Sequence, residues 1–211
     1  MPVSHPDLPP LILASASPRR AEILGRLGID FRVEAADMDE AAFIRSLGDG
    51  APPEFIGKAL LLARAKAELV GEGLCGEGLV LGADTTVVLD DGRDLGKPRD
   101  DAEAREMLSA LSGRSHRVVT GTVLMDASTG ARTESAPVTV VRMRTLSRRI
   151  LDAYVASGEP EGKAGAYAIQ GLGGLLIAGV RGSHTNVVGL PVEVLEELFS
   201  GLGYSVWDYV L

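Results

Sequence analysis

The stretch Ser15-Ala16-Ser17-Pro18-Arg19-Arg20 brings two hydroxyls and two guanidinium groups together, side chains of the kind that hold phosphate oxygens. It follows the apolar run Leu11-Ile12-Leu13-Ala14, which reads as a buried strand, and precedes helical spacing at Ile23, Leu24 and Leu27 with Gly28 as the stop. A loop that leaves a strand and enters a helix points free N–H groups and the positive end of the helix dipole at one spot, which suits an anion. The plainer alternative is that Ser17 caps a helix begun by Pro18 and that both arginines are solvated.

Asp84 interrupts the apolar, β-branched segment Leu79 to Leu89. Burying a carboxylate there is costly unless it is paired, bound to a metal, or placed at a strand end that faces a ligand. Ligands of α/β sheets collect beyond the carboxyl ends of strands, where an Asp can bind a divalent ion or take a proton from water. The alternative is an Asp that ends the strand and caps a turn through Thr85. Lys97, in Gly96-Lys97-Pro98, stands on a backbone stiffened by proline. Lys66, near Arg64 in a helical pattern, reads from its spacing as a solvated helix flank. The run Gly162 to Gly171 sets Lys163, Tyr167 and Gln170 among small residues: glycines permit close approach to a ligand, Tyr167 can pack on a ring, and Gln170 can read a base edge. Its alternative is a Gly-rich turn between strands. Asp37, Asp39 and Glu40 can add oxygen ligands for Mg²⁺ or form a solvated acidic loop.

The whole chain frames these candidates. It has 211 residues, 45% hydrophobic and 24% charged, with a net charge of −8, which fits an ordinary globular protein and excludes a broad nucleic-acid-binding surface. A small polyanion would need basic residues concentrated against that overall charge. The lone Cys75 forms no internal disulfide, and with His5, His116 and His184 it is too scattered for a zinc site; a reducing cytosol is expected. Neither a signal segment nor a membrane span is expected. G-x-x-x-x-G-K-[ST] is absent, and Gly171-Leu172-Gly173-Gly174 is not a dinucleotide fingerprint.

A coarse reading places a helix from Pro52-Pro53 to Gly71, a strand over 79–89, a turn at Asp90-Asp91-Gly92 and a helix begun by Asp100-Asp101. Strands follow near 116–125 and 136–145, then a Ser147-capped helix with Ile150, Leu151, Tyr154 and Val155 inward. Strands near 175–180 and 184–188, a helix over 191–200 and a closing strand from Tyr204 to Val210 complete a mixed α/β sheet. Residues 1–10 read as a flexible extension and 11–211 as one domain.

In order along the chain, Leu13-Ala14-Ser15-Ala16-Ser17-Pro18-Arg19-Arg20, Gly82-Ala83-Asp84-Thr85, Gly96-Lys97-Pro98, Leu111-Ser112-Gly113-Arg114-Ser115-His116, Lys163 to Gly171 and Val188-Gly189-Leu190-Pro191 closely resemble the Maf family. That resemblance implies an elongated mixed α/β sheet with flanking helices and a central cleft, similar to inosine triphosphate pyrophosphatases. It also implies a cytoplasmic enzyme, historically labelled a septum formation inhibitor, that uses a divalent metal (Mg²⁺, Mn²⁺ or Co²⁺) to hydrolyse a nucleoside triphosphate to monophosphate and pyrophosphate. By position, Asp84 matches the family's acid/base. Arg19, Thr85 and Gln170 match positions tied to base specificity in the subgroup acting on dTTP and UTP. Ser15, Arg20, Lys66, Lys97 and Lys163 match polar and basic positions that meet phosphates, and Asp39 matches an acidic position near the metal, shared with Asp84. Departures are Ala168, where the subgroup usually has Gly, and Gly182 to Asn186, which replaces a more aromatic stretch; His184 is given no role.

The expected partner is a nucleoside triphosphate, with no nucleic-acid polymer and no membrane, and a homodimer is left open. Two rivals are a pyrophosphatase for another base, such as 7-methyl-GTP or an inosine-like nucleotide, and a nucleotide-binding division regulator with little turnover. Gln170 disfavours the first; Asp84, Lys97 and Lys163 disfavour the second.

Overall fold

Alternate residues of β1 (Leu11–Ala14) enter opposite apolar layers, Leu11 and Leu13 on one side and Ile12 and Ala14 on the other. A strand covered on both faces reads as an unbroken apolar run, which is why the segment was recognisable without alternation. The computed structural model describes residues 8–50, 52, 54–74, 76 and 78–210; the expected extension up to Asp7, Pro53 and Cys75 lie outside the described residues.

The remaining elements are α1 (Pro18–Arg26), β2 (Arg32–Val33), α2 (Glu40–Leu47), α3 (Phe55–Glu72), β3 (Leu79–Leu89), β4 (Asp94–Leu95), α4 (Asp101–Leu111), β5 (Ser115–Asp126), β6 (Arg132–Ser135), β7 (Val138–Met143), α5 (Arg148–Ala156), β8 (Ile177–Arg181), α6 (His184–Val188) and α7 (Leu195–Ser200), with short 3₁₀ turns between. Eight strands form one mixed sheet in the order β2-β1-β3-β5-β7-β8, with β4 beside β3 and β6 beside β5. β1 runs parallel to β2 and β3, whereas β4 on β3, β6 and β7 on β5, and β8 on β7 are antiparallel.

The chain divides into two compact units, the first Met1–Asp84, Thr120–Ala136 and Gly189–Leu211, the second Thr85–Val119 and Pro137–Val188. In the first, Ala63, Ala67 and Val70 of α3 cover one face of the strands; Leu24, Leu195, Leu198 and Phe199 cover the other. In the second, Val87, Leu89, Val118, Val141 and Met143 pack against Ala104, Leu108 and Leu111 of α4 and Tyr154 and Val155 of α5. Among the described residues no helix is long and apolar enough to cross a membrane.

Several expectations are corrected. Residues 184–188 form α6 rather than a strand: Ser183 Oγ accepts from the Asn186 N–H, and the buried Asn186 amide donates to Val118 O, Pro137 O and Thr139 Oγ1. These bonds outweigh the strand preference of Thr185, Val187 and Val188. Tyr204 to Val210 forms a 3₁₀ turn over Val206–Tyr209, begun by Ser205 Oγ accepting from Trp207 N–H, and only Val210 bridges to Ile29. The strand expected over 136–145 is β7, shorter at both ends, and β6 before it was not foreseen; the two are separated at Pro137, whose nitrogen has no hydrogen to donate to a ladder. Ile150 faces solvent at 41% exposure, leaving the inward face of α5 to Leu151, Tyr154 and Val155. The acidic loop opens a helix not foreseen, α2, whose first N–H groups include Ala42 N–H bonded to Asp39 Oδ1.

Candidate functional site

Parity along β3 decides where Asp84 points. Leu79, Leu81 and Ala83 enter the layer beneath α1 and α7, and Val80 enters the layer beneath α3, so Gly82 and Asp84 share the α3 side. α3 approaches the strands closely because small residues line the contact. A Cβ added at Gly82 would stand 2.3 Å from Ala63 O, and one at Gly121 would stand 2.5 Å from Ala59 O. Ala59, Ala63, Lys66, Ala67 and Val70 recur at three- and four-residue steps, one face of a helix. Lys66 therefore lies on the inward face, and the flank reading taken from its spacing is wrong. Only 8% of Lys66 is exposed, and its Nζ donates to Asp84 Oδ1 at 2.6 Å and pairs with Glu40 Oε1 at 2.8 Å.

Asp84 is 8% exposed. Burial pushes its carboxyl above the usual aspartate range; the Lys66 ammonium opposes that push, Glu40 adds to it and Arg20 opposes it. The result is a carboxyl more basic than one in water, held in contact with a cation that favours its ionised form.

The register of β1 on β3 pairs Ala14 with Gly82, so the loop that starts at Ser15 leaves β1 near the level of Asp84. Ser15 Oγ accepts from Ser17 N–H at 3.2 Å and from Arg20 Nη1 at 2.8 Å, while Arg20 Nε donates to Gly189 O at 2.7 Å. Arg20 is buried, not solvated; burial lowers its affinity for its proton, and the charges of Asp84 and Glu40 raise it. Ser17 holds the N-cap position but makes no side-chain cap bond. Arg19 is half-buried. Asp39 is exposed and caps α2; the carboxylate that reaches Lys66 belongs to its neighbour Glu40. Ser15, Arg20, Lys66, Asp84 and Glu40 thus form one connected or electrostatically coupled group within the first unit.

The second unit holds Thr85, Lys97, Lys163 and Gln170. Thr85 is half-buried on β3 and Lys97 is exposed. Gly165 N–H donates to Gly96 O at 3.0 Å, so the Lys97 and Lys163 segments are joined through backbone. Gly165 has φ +69°, and a Cβ there would meet Val87 at 2.9 Å, so glycine is required. Its neighbour Ala166 has φ +57°, a left-handed conformation that alanine adopts at some cost and that marks this run as a built feature. Tyr167 is buried, with its hydroxyl 2.7 Å from His116 Nε2 and the two rings edge to face. Burial holds His116 neutral, its pKa lowered to about 4, and raises that of Tyr167. Gln170 is half-exposed at the head of the 3₁₀ turn Gly171–Leu176.

Among the described residues no group of three or more His, Cys, Asp or Glu is arranged as a metal site. Asp84 and Glu40 nevertheless share one ammonium, and two hard oxygen donors that hold a cation in common fit Mg²⁺, which takes one or two carboxylates and completes its shell with water and phosphate oxygens.

Fold and site together define an α/β protein that sets a buried carboxylate beside fixed cationic groups. Residues 10–202 match the family described as Maf-like protein, and the chain belongs to that family. The dTTP/UTP pyrophosphatase of Moorella thermoacetica is 48% identical over 200 residues, covering 95% of this chain and 98% of the relative. Proteins of the same name from Desulforamulus reducens (44% identity over 93% of this chain and 98% of the relative) and Syntrophus aciditrophicus (46% over 92% and 90%) are also similar.

Proposed function

We propose that this protein hydrolyses dTTP and UTP to the nucleoside monophosphate and pyrophosphate. The observation that carries the reading is the Lys66 ammonium lodged between the buried Asp84 and the half-exposed Glu40, in a chain whose relatives are named for that activity. Asp84 accepts a proton from the attacking water; the water oxygen bonds to the α-phosphorus, the bond from that phosphorus to the bridging oxygen breaks, and pyrophosphate leaves. Burial makes Asp84 a stronger base for this step than an exposed aspartate. Lys66 keeps the carboxylate ionised and oriented. Arg20, locked through Ser15 and Gly189, supplies fixed positive charge for phosphate oxygens, and Arg19, Lys97 and Lys163 are assigned to the same phosphates. Gln170 reads the pyrimidine edge, with Arg19 and Thr85 contributing to base choice. Asp84 and Glu40, with Asp39 adjacent, would hold a divalent cation, which when bound neutralises triphosphate charge.

Pyrophosphate release is to be measured across dTTP, UTP, CTP, GTP, inosine triphosphate and 7-methyl-GTP with Mg²⁺, Mn²⁺ or Co²⁺ and with a chelator. Preference for dTTP and UTP and loss of turnover in chelator are expected. A purine nucleotide turned over faster than UTP would overturn the base assignment, and no release from any triphosphate would overturn the enzymatic one.

A further inference from the structure

Gln170 stands in a segment pinned on both sides by one element. On one side the Ala168 N–H donates to Tyr154 Oη at 3.1 Å. On the other, Leu172 N–H donates to Glu159 Oε1 at 2.8 Å and Gly173 N–H to Glu159 Oε2 at 3.0 Å, so both carboxylate oxygens are used. Against the opposing effect of burial, the two N–H groups and the Tyr154 hydroxyl nearby hold the Glu159 carboxyl below the usual glutamate range. Tyr154 is buried on α5, and Glu159 follows on the turn just after that helix, where its own N–H is held by Ser157 Oγ at 3.2 Å. The glycines around Gln170 are shaped to this clamp. A Cβ at Gly171, which has φ +66°, would stand 2.5 Å from Glu159 Oε1, and one at Gly173 would stand 2.0 Å from Ala168 O and 2.7 Å from Tyr154 Oη.

We propose that Glu159, acting with Tyr154, is a positioning residue for base discrimination: its carboxylate fixes the backbone on which Gln170 is presented. This rests on the reading of Gln170 as the group that meets the base. An amide discriminates between bases only when its donor and acceptor are held at set positions, because a carrier free to shift can satisfy more than one edge. Glu159 acts through the backbone N–H groups of Leu172 and Gly173, and Tyr154 through that of Ala168, each on the segment that carries Gln170.

The test is kcat/KM for UTP, CTP and GTP with wild type, Glu159→Ala, Glu159→Gln, Gln170→Ala and the Glu159→Ala/Gln170→Ala double variant. Losing hydrogen bonds to a charged acceptor is expected to cut the UTP preference by about tenfold in Glu159→Ala, more through KM than through kcat. Glu159→Gln keeps one acceptor and should fall between, and it decides the matter if Glu159→Ala does not fold. In the double variant the second substitution should add nothing to the loss of preference already caused by the first. Preference unchanged in both Glu159 variants while Gln170→Ala loses it, or losses that add fully, would overturn the clamp and leave Gln170 as reader. Preference unchanged in Gln170→Ala would overturn the reading itself, and the clamp with it.

Discussion

The Lys66 ammonium and the Asp84 carboxylate, 18 residues apart in the chain, meet at 2.6 Å, and Glu40 pairs with the same ammonium from the head of α2 at 2.8 Å. Lys66 therefore compensates the burial of Asp84, whose carboxyl still stands above its ordinary value because burial outweighs the attraction. A base works in its ionised form. With Asp84 as the proposed base, activity is expected above its folded-state pKa and is expected to be lost as pH falls through it, at a pH higher than the ordinary aspartate value of about 3.9. Asp84→Asn keeps the shape and removes the basicity. Its kcat should fall by about 10²- to 10⁴-fold, and pyrophosphate release near the wild-type rate would refute the role.

Lys66→Met keeps an apolar stem of similar length and removes the charge. Asp84 then lacks the cation that opposes its protonation, so the acidic limb of the kcat/KM profile should move to higher pH. Removing one partner of a buried ion pair should also cost about 3–5 kcal/mol of stability in urea unfolding, least at acid pH where the stranded carboxylate is protonated. An acidic limb that stays in place would show that Lys66 does not set the ionisation of Asp84.

The approach of α3 to β3 depends on Gly82. In Gly82→Ala the new methyl lies 2.3 Å from Ala63 O, which is backbone and cannot swing aside, so α3 must shift and carry Lys66 away from Asp84. Loss of about 1–3 kcal/mol together with a fall in kcat is expected. Gly25→Ala on α1, where nothing lies within 4 Å, is the control and should leave turnover unchanged. Stability lost in Gly82→Ala with full activity would separate the close approach from the chemistry.

Asp84 was legible in the sequence because a carboxylate inside an apolar run is costly, and β3 and α4 were legible because an unbroken run and an Asp cap are local signals. Family resemblance marked Lys66 as a position that meets phosphates, and its pairing with Asp84 and Glu40 was foreseen neither there nor from spacing. Charge and spacing made it a flank, while its real position follows from neighbours that are small, Ala59, Ala63 and Ala67, and so leave a weak apolar stripe. α6 was missed because the bonds that hold it come from Val118, Pro137 and Thr139, far away in the chain. Glu159 left no trace because its partners are backbone N–H groups, which every residue but proline carries. The glycines up to Gly171 were read as room for a ligand, whereas the space at Gly171 is taken by the Glu159 carboxylate.

His116 offers a test of the second unit that is independent of turnover. It is fully buried, hydrogen-bonded through Nε2 to Tyr167, and its Nδ1 has no partner among the described residues. Burial lowers its pKa from 6.5 to about 4, so the folded protein keeps the ring neutral where the unfolded chain would protonate it. The unfolded state thus binds more protons between those two values. Stability from this group is complete above pH 6.5 and declines as pH falls toward about 4, by about 3 kcal/mol in all. His116→Gln keeps a polar group near the Tyr167 hydroxyl and cannot titrate, so urea unfolding at pH 7 and pH 4.5 should show a smaller acid loss in the variant than in wild type. Equal losses in the two proteins would mean that His116 is protonated in the fold, and would refute the neutral buried ring.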